Sequence, residues 1–101
     1  MKEIRPYPLS DDDCTTRIVV PAHSILKYIG VLEGKFHAWV EMGTGIQGEW
    51  EFVIERIPDN SPVPYEKKYL FSTIKDEVMW HFYGRCNDNY RRPYSRPSSS
   101  A

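Results

Sequence analysis

The segment Glu49-Trp50-Glu51-Phe52-Val53-Ile54-Glu55-Arg56 alternates with a period of two. Trp50, Phe52 and Ile54 fall on one side, and Glu49, Glu51 and Glu55 on the other. A half-buried β-strand turns that period into one apolar and one polar face. A helix would spread the same rings and carboxylates around its circumference. The glutamates predict a solvated outer face that discourages edge-to-edge pairing.

The rest of the chain follows the same rule. Thr15 to Val20 is rich in β-branched residues and ends at Pro21, which reads as a strand. Residues 24–42 predict a hairpin turning at Glu33-Gly34, where glycine takes a positive φ without a Cβ penalty. Its return strand places Phe36, Ala38, Val40 and Met42 on one face and His37, Trp39 and Glu41 on the other. A second hairpin is expected from Tyr69 to Tyr83, with Lys75-Asp76-Glu77 as its turn and Val78, Trp80 and Phe82 sharing a face. Lys2 to Leu9 carries two prolines, which lack an N–H and confine it to a sheet edge. Ser10 to Asp13 reads as a turn, and Pro58 to Pro64 as a rigid loop. No segment sustains a 3.6-residue period. The expected fold is all-β: a small β-sandwich or partly closed barrel of about six or seven mostly antiparallel strands.

At 101 residues there is room for one domain. Alternation stops at Gly84, so residues 1–84 are read as the domain and 85–101 as a basic, Pro/Ser-rich C-terminal arm. The first part holds nine Lys/Arg against thirteen Asp/Glu, or −4; the arm holds four Arg against one Asp, or +3. The arm cannot bury enough apolar area to order by itself. Within it Tyr90, Arg91, Arg92, Tyr94 and Arg96 interleave rings with cations. That pattern suits stacking on bases and pairing with phosphates, or lying along an acidic protein groove. A solubilising tail is the alternative reading. The longest apolar run is too short to span a membrane. Cys14 and Cys86 lie far apart with no secretory h-region after Met1, so two idle thiols are expected rather than a disulfide.

Signs of reaction chemistry are weak. His23, His37 and His81 sit on three different elements without ligand spacing, so no metal or other cofactor is expected. Gly43-Thr44-Gly45-Ile46-Gln47-Gly48 lacks the following helix and Lys-Ser/Thr pair of a phosphate-cradling loop, and reads as a plain hairpin connection. Cys14 follows three aspartates, which oppose a thiolate. Nothing marks a nucleophile with its base, or an acid/base pair, and the chain is read as not an enzyme.

Several stretches together resemble a family of small uncharacterised bacteriophage proteins. They are Ile4-Arg5-Pro6-Tyr7-Pro8-Leu9, Pro21-Ala22-His23-Ser24-Ile25-Leu26, Glu33-Gly34 before Ala38-Trp39-Val40, Phe52-Val53-Ile54, Tyr69-Leu70-Phe71-Ser72-Thr73 and Met79-Trp80-His81-Phe82-Tyr83. That family tends to have a Gly-Thr-Gly turn after the Phe52-Val53-Ile54 position, where this chain has Glu55-Arg56-Ile57-Pro58. The resemblance implies phage origin and transfers no catalytic residue. The expected function is docking on a larger assembly such as a virion, in the host cytoplasm or incorporated in the particle, with a phage structural protein or a host protein as partner. Trp39 and Trp80 are the candidate anchors, weighed against ordinary core packing, and the arm is the candidate tether. Self-association around a shell symmetry axis is compatible with this. A second reading is a host-directed inhibitor whose acidic face, Glu49, Glu51 and Glu55 with Asp11 to Asp13, imitates nucleic acid. A third is a single-stranded nucleic-acid binder using the arm and exposed rings.

Overall fold

The computed structural model describes residues 2–46 and 48–87. These form seven strands and no helix: β1 (Ile4–Pro8), β2 (Thr15–Pro21), β3 (Ile25–Leu32), β4 (Lys35–Glu41), β5 (Glu49–Pro58), β6 (Lys68–Lys75) and β7 (Val78–Asn87). Every pairing is antiparallel. One sheet has the order β1-β4-β3 and the other β2-β5-β7-β6. β3 runs beside β6 without joining its ladder, so the two sheets form a sandwich and not a closed barrel.

The core follows the period of two. Phe36, Ala38 and Val40 of β4 meet Ile18 and Val20 of β2, Phe52 and Ile54 of β5, and Phe82 of β7. Phe36 and Phe82 pack edge to face with centroids 5.1 Å apart, the geometry aromatic pairs prefer. β1 lies at an edge, where Pro6 and Pro8 leave no gap in a central ladder.

Four details depart from the sequence reading. The second hairpin turns on two residues, Asp76 and Glu77, so Lys75 belongs to β6 and the register moves by one. β7 continues past Tyr83, and Arg85, Cys86 and Asn87 pair with Val53, Phe52 and Glu51. Gly84 permits this continuation, because a Cβ there would press on the Val53 carbonyl oxygen and the Leu70 side chain. The Gly43–Gly48 segment is no hairpin connection; it carries the chain from the smaller sheet to the larger. Its Gly43 lies against the β2–β3 corner, where a Cβ would collide with the Ala22 carbonyl oxygen. Finally, Val53, on the nominally polar face of β5, is buried.

Candidate docking face

The outer side of the β1-β4-β3 sheet carries an organised set of exposed or half-exposed rings and prolines. Directly opposed residues of antiparallel strands share a face, so the register defines rows across it. Pro6, Trp39 and Tyr28 form the central row; Pro8, His37 and Gly30 the next; Ile4, Glu41 and Ile25 the one beyond. A bulge at Lys27 resets the register between Leu26 and Tyr28 and brings Tyr28 opposite Trp39. The two rings lie 5.7 Å apart, and His37 lies 5.9 Å from Trp39. Tyr28 also meets Phe71 of β6 edge-on at 5.8 Å. Gly30 makes this placement possible, since a Cβ there would occupy the space of the Tyr28 ring.

Ile4 and Tyr28 remain 53% and 52% exposed. Ion pairs surround the apolar centre: Glu41 with Lys2 (3.5 Å) and Lys27 (3.6 Å), and Lys35 with Asp11 (3.3 Å). An apolar centre inside a charged rim is the anatomy of a protein-binding patch. The prolines of β1 also withhold donors from the sheet edge, which favours docking on the face over strand addition.

The two candidate tryptophans differ. Trp39 is half-buried on this open face. Trp80 points to the interior side, edge-on to Phe36 at 5.9 Å, with the Arg56 guanidinium 5.4 Å from its ring. Its surroundings are those of a core residue. Tyr90, Arg91, Arg92, Tyr94 and Arg96 lie outside the described residues. The acidic stripe of β5 is not an open charged face: Glu51 pairs with Arg17 at 3.4 Å and Glu55 with Lys67 at 3.2 Å, and all three glutamates are partly buried. Asp11 is likewise paired, with Lys35, whereas Asp12 and Asp13 are exposed.

A polar chain that the sequence reading missed runs over the outer face of the larger sheet. The Tyr69 hydroxyl is 2.7 Å from Ser72 Oγ, Ser72 Oγ is 2.7 Å from His81 Nδ1, and His81 Nε2 is 2.5 Å from Asp59 Oδ1. A carboxylate only accepts, so Nε2–H donates to Asp59 and, in the neutral ring, Nδ1 accepts from Ser72. The residue types are those of a Ser-His-Asp triad, with the roles of the two ring nitrogens exchanged. Ser72, however, is exposed on open sheet surface, where water screens the charges that catalysis would use. The array ties the loop after β5 to the second hairpin. A two-residue turn at Asp76-Glu77 would have placed Ser72 opposite His81; the three-residue turn expected from the sequence set it opposite Trp80.

No group of His, Cys, Asp and Glu among the described residues has a metal-binding arrangement. His23 packs tilted against Trp50 with centroids 4.9 Å apart, and His37 Nδ1–H donates to the Lys35 carbonyl at 3.0 Å. Compared with protein-family models, curated proteins and solved structures, the chain matches none.

Proposed function

We propose that this protein is a non-enzymatic docking module that seats the outer face of the β1-β4-β3 sheet on a larger protein assembly. The observation that carries the reading is the Pro6-Trp39-Tyr28 row, flanked by Ile4 and Ile25 and left uncovered by any layer of the sandwich. Tryptophan and tyrosine at the centre of a patch supply most of the energy in protein interfaces. Exposed apolar patches of this kind usually mark interaction sites. The resemblance to small bacteriophage proteins supports a virion as the assembly, with residues 88–101 as a tether that raises local concentration.

Single-stranded nucleic acid is the third reading, since exposed rings also stack on bases. The cations around the face argue against it: Lys2, Lys27, Lys35 and Arg5 are each already in an ion pair, which leaves little charge for phosphates. Occupancy on particles purified from infected cells tests the docking reading. Trp39→Ala should lower it about 30-fold, the loss of a typical hot spot, while Ile74→Ala on the other sheet should leave it unchanged. Deleting residues 88–101 should weaken attachment without unfolding the domain. Full occupancy by a folded Trp39→Ala, Tyr28→Ala double variant would refute the assignment of this face.

A further inference from the structure

The edge strands of the two sheets are β1 and β3 in the smaller, β2 and β6 in the larger. Prolines and bulges on an edge discourage the addition of a further strand. β1 has Pro6 and Pro8, β3 is bulged between Leu26 and Tyr28, and β6 between Tyr69 and Phe71. β3 and β6 also run beside each other. β2 differs from all of them. It pairs with β5 without a break from Thr15 to Pro21, and its only proline is its last residue. Arg17 and Val19 are exposed, and no other strand lies along that edge among the described residues. Its one charge is already engaged, since Arg17 pairs with Glu51 at 3.4 Å.

Antiparallel pairing decides which backbone groups of β2 face outward. The Arg56 N–H donates to the Cys14 carbonyl and the Ala22 N–H to the Gly48 carbonyl, so the even-numbered residues turn their groups to β5. Thr15, Arg17 and Val19 turn theirs to the open edge. β2 of a second copy is complementary to that edge. A two-fold axis at Ile18 sets Arg17 opposite Val19 of the second copy, where each pair exchanges both N–H···O bonds. The arginine stem then covers Val19, which is 43% exposed in the single chain. Val19 lies opposite Glu51 of β5, and Arg17 opposite Val53. Across the joint sheet one row therefore reads Glu51, Val19, then Arg17 and Val53 of the second copy. Each Arg17 stands between its own Glu51 and that of the second copy, an arrangement of alternating sign. The other symmetric register, Arg17 against Arg17, opposes like charges and is disfavoured.

We infer that the protein forms a symmetric dimer by antiparallel pairing of β2 with β2 of a second copy, joining the two larger sheets into one. A single strand pair covers less surface than a standard interface, so the dimer is weak and depends on concentration. The axis stands perpendicular to the joint sheet, and both Pro6-Trp39-Tyr28 rows point the same way. The pairing uses a different strand from the docking face and stands without that reading.

Sedimentation of the full chain over a concentration series should show monomers converting to dimers. Amide exchange at Arg17 and Val19 should slow as the dimer fraction rises. Val19→Glu opposes a carboxylate to Arg17 of the second copy and should tighten the dimer about tenfold, through two cross-strand pairs of ordinary strength. Val19→Lys opposes like charges and should loosen it by a similar factor. Val19→Pro removes a donor from the open edge, where proline leaves the β5 ladder intact, and should stay monomeric throughout. Trp39→Ala should leave the dimer constant unchanged, which separates this contact from association through the docking face. A chain that remains monomeric up to millimolar concentration would overturn the inference. So would a dimer whose Arg17 and Val19 amides exchange as fast as the monomer's, or one held equally well by Val19→Glu and Val19→Lys.

Discussion

The two ends of this sandwich are closed by different means. At one end lie both hairpin turns, Glu33-Gly34 and Asp76-Glu77, and the β1–β2 loop. There Arg56 fills the gap between the sheets. Its guanidinium donates to the carbonyls of Ser10 (2.5 Å) and Asp11 (3.0 Å) and stands over the rings of Phe36 (5.5 Å) and Trp80 (5.4 Å). Lys75 adds a second cation over Phe36 at 5.4 Å. At the other end no side chain among the described residues plays that part. The chain crosses twice between sheets, at 22–24 and 42–48; backbone hydrogen bonds, with the Ser24 hydroxyl between Pro21 and Gly43, hold the crossings while the side chains of Leu26, Trp50 and Leu70 border open space. A long cation with an apolar stem can close a core edge; packed backbone can hold a corner and still leave a cleft beside it.

The largest expected effect breaks the backbone-held end. Ser24 is the one buried polar residue among those described; its hydroxyl donates to the Pro21 carbonyl (2.6 Å) and accepts from the Gly43 N–H (2.9 Å). Gly43→Ala drives a methyl into the Ala22 carbonyl and the His23–Ser24 peptide. Neither neighbour is a flexible side chain that can move aside. The loss should be about 3 kcal/mol, at the upper end of overpacking costs, read as a lower urea midpoint.

Next comes the closed end. Arg56→Met keeps much of the apolar stem but removes the donors to two carbonyls and the cation over two rings. Because Arg56 Nε is buried without a partner, part of the gain from the other contacts is already offset. A net loss of about 2 kcal/mol is expected. Arg56→Lys should recover little of it, since one ammonium cannot reproduce the planar fork that spans both carbonyls and both rings. Full stability in Arg56→Lys would show that charge alone closes this end.

Truncating the cleft wall should cost less. Leu70→Ala removes a half-buried side chain beside a space already open to water, so only the transfer of the buried part is lost and no new sealed cavity forms. About 1 kcal/mol is expected from the area rule. A loss as large as that of Gly43→Ala would mean the cleft is closed in solution.

These contrasts show which parts of the architecture were legible in residue order. Strands β2 to β5 follow from alternation and β-branching, because one buried face forces a period of two. Trp39 could be assigned to the face opposite Phe36, Ala38 and Val40 by the same rule. Its neighbours Pro6 and Tyr28 could not, since they join it through pairing with β1 and through a bulge at Lys27 that no periodicity announces. Arg56 occupies an inward position on β5, where a charged residue reads as a strand end and not as a plug. The extension of β7 through Arg85, Cys86 and Asn87 pairs polar residues with β5 by backbone bonds, which leave no apolar signature. The cleft arises from unequal sheet sizes, a property of topology rather than of any segment.

The smallest prediction concerns the two turns of the closed end. Both have positive φ at their two central residues: Glu33 at 53° and Gly34 at 81°, Asp76 at 55° and Glu77 at 67°. This is the turn that matches the right-handed twist of a hairpin, and glycine is its preferred second residue. The first hairpin has it; the second places two ordinary L-residues in the left-handed region, each at a steric cost of about 1–2 kcal/mol. Glu77→Gly removes one of those costs, and the greater freedom of glycine in the unfolded chain returns part of it. A net stabilisation of roughly 0.5–1 kcal/mol should follow, visible as a higher urea midpoint at unchanged slope. Gly34→Ala should move the midpoint the other way by a similar amount. Because Ser72 and His81 face each other only in the two-residue register, loss of their hydrogen bond in Glu77→Gly, seen as a shifted His81 imidazole resonance, would mean that the glutamate itself holds the hairpin in step.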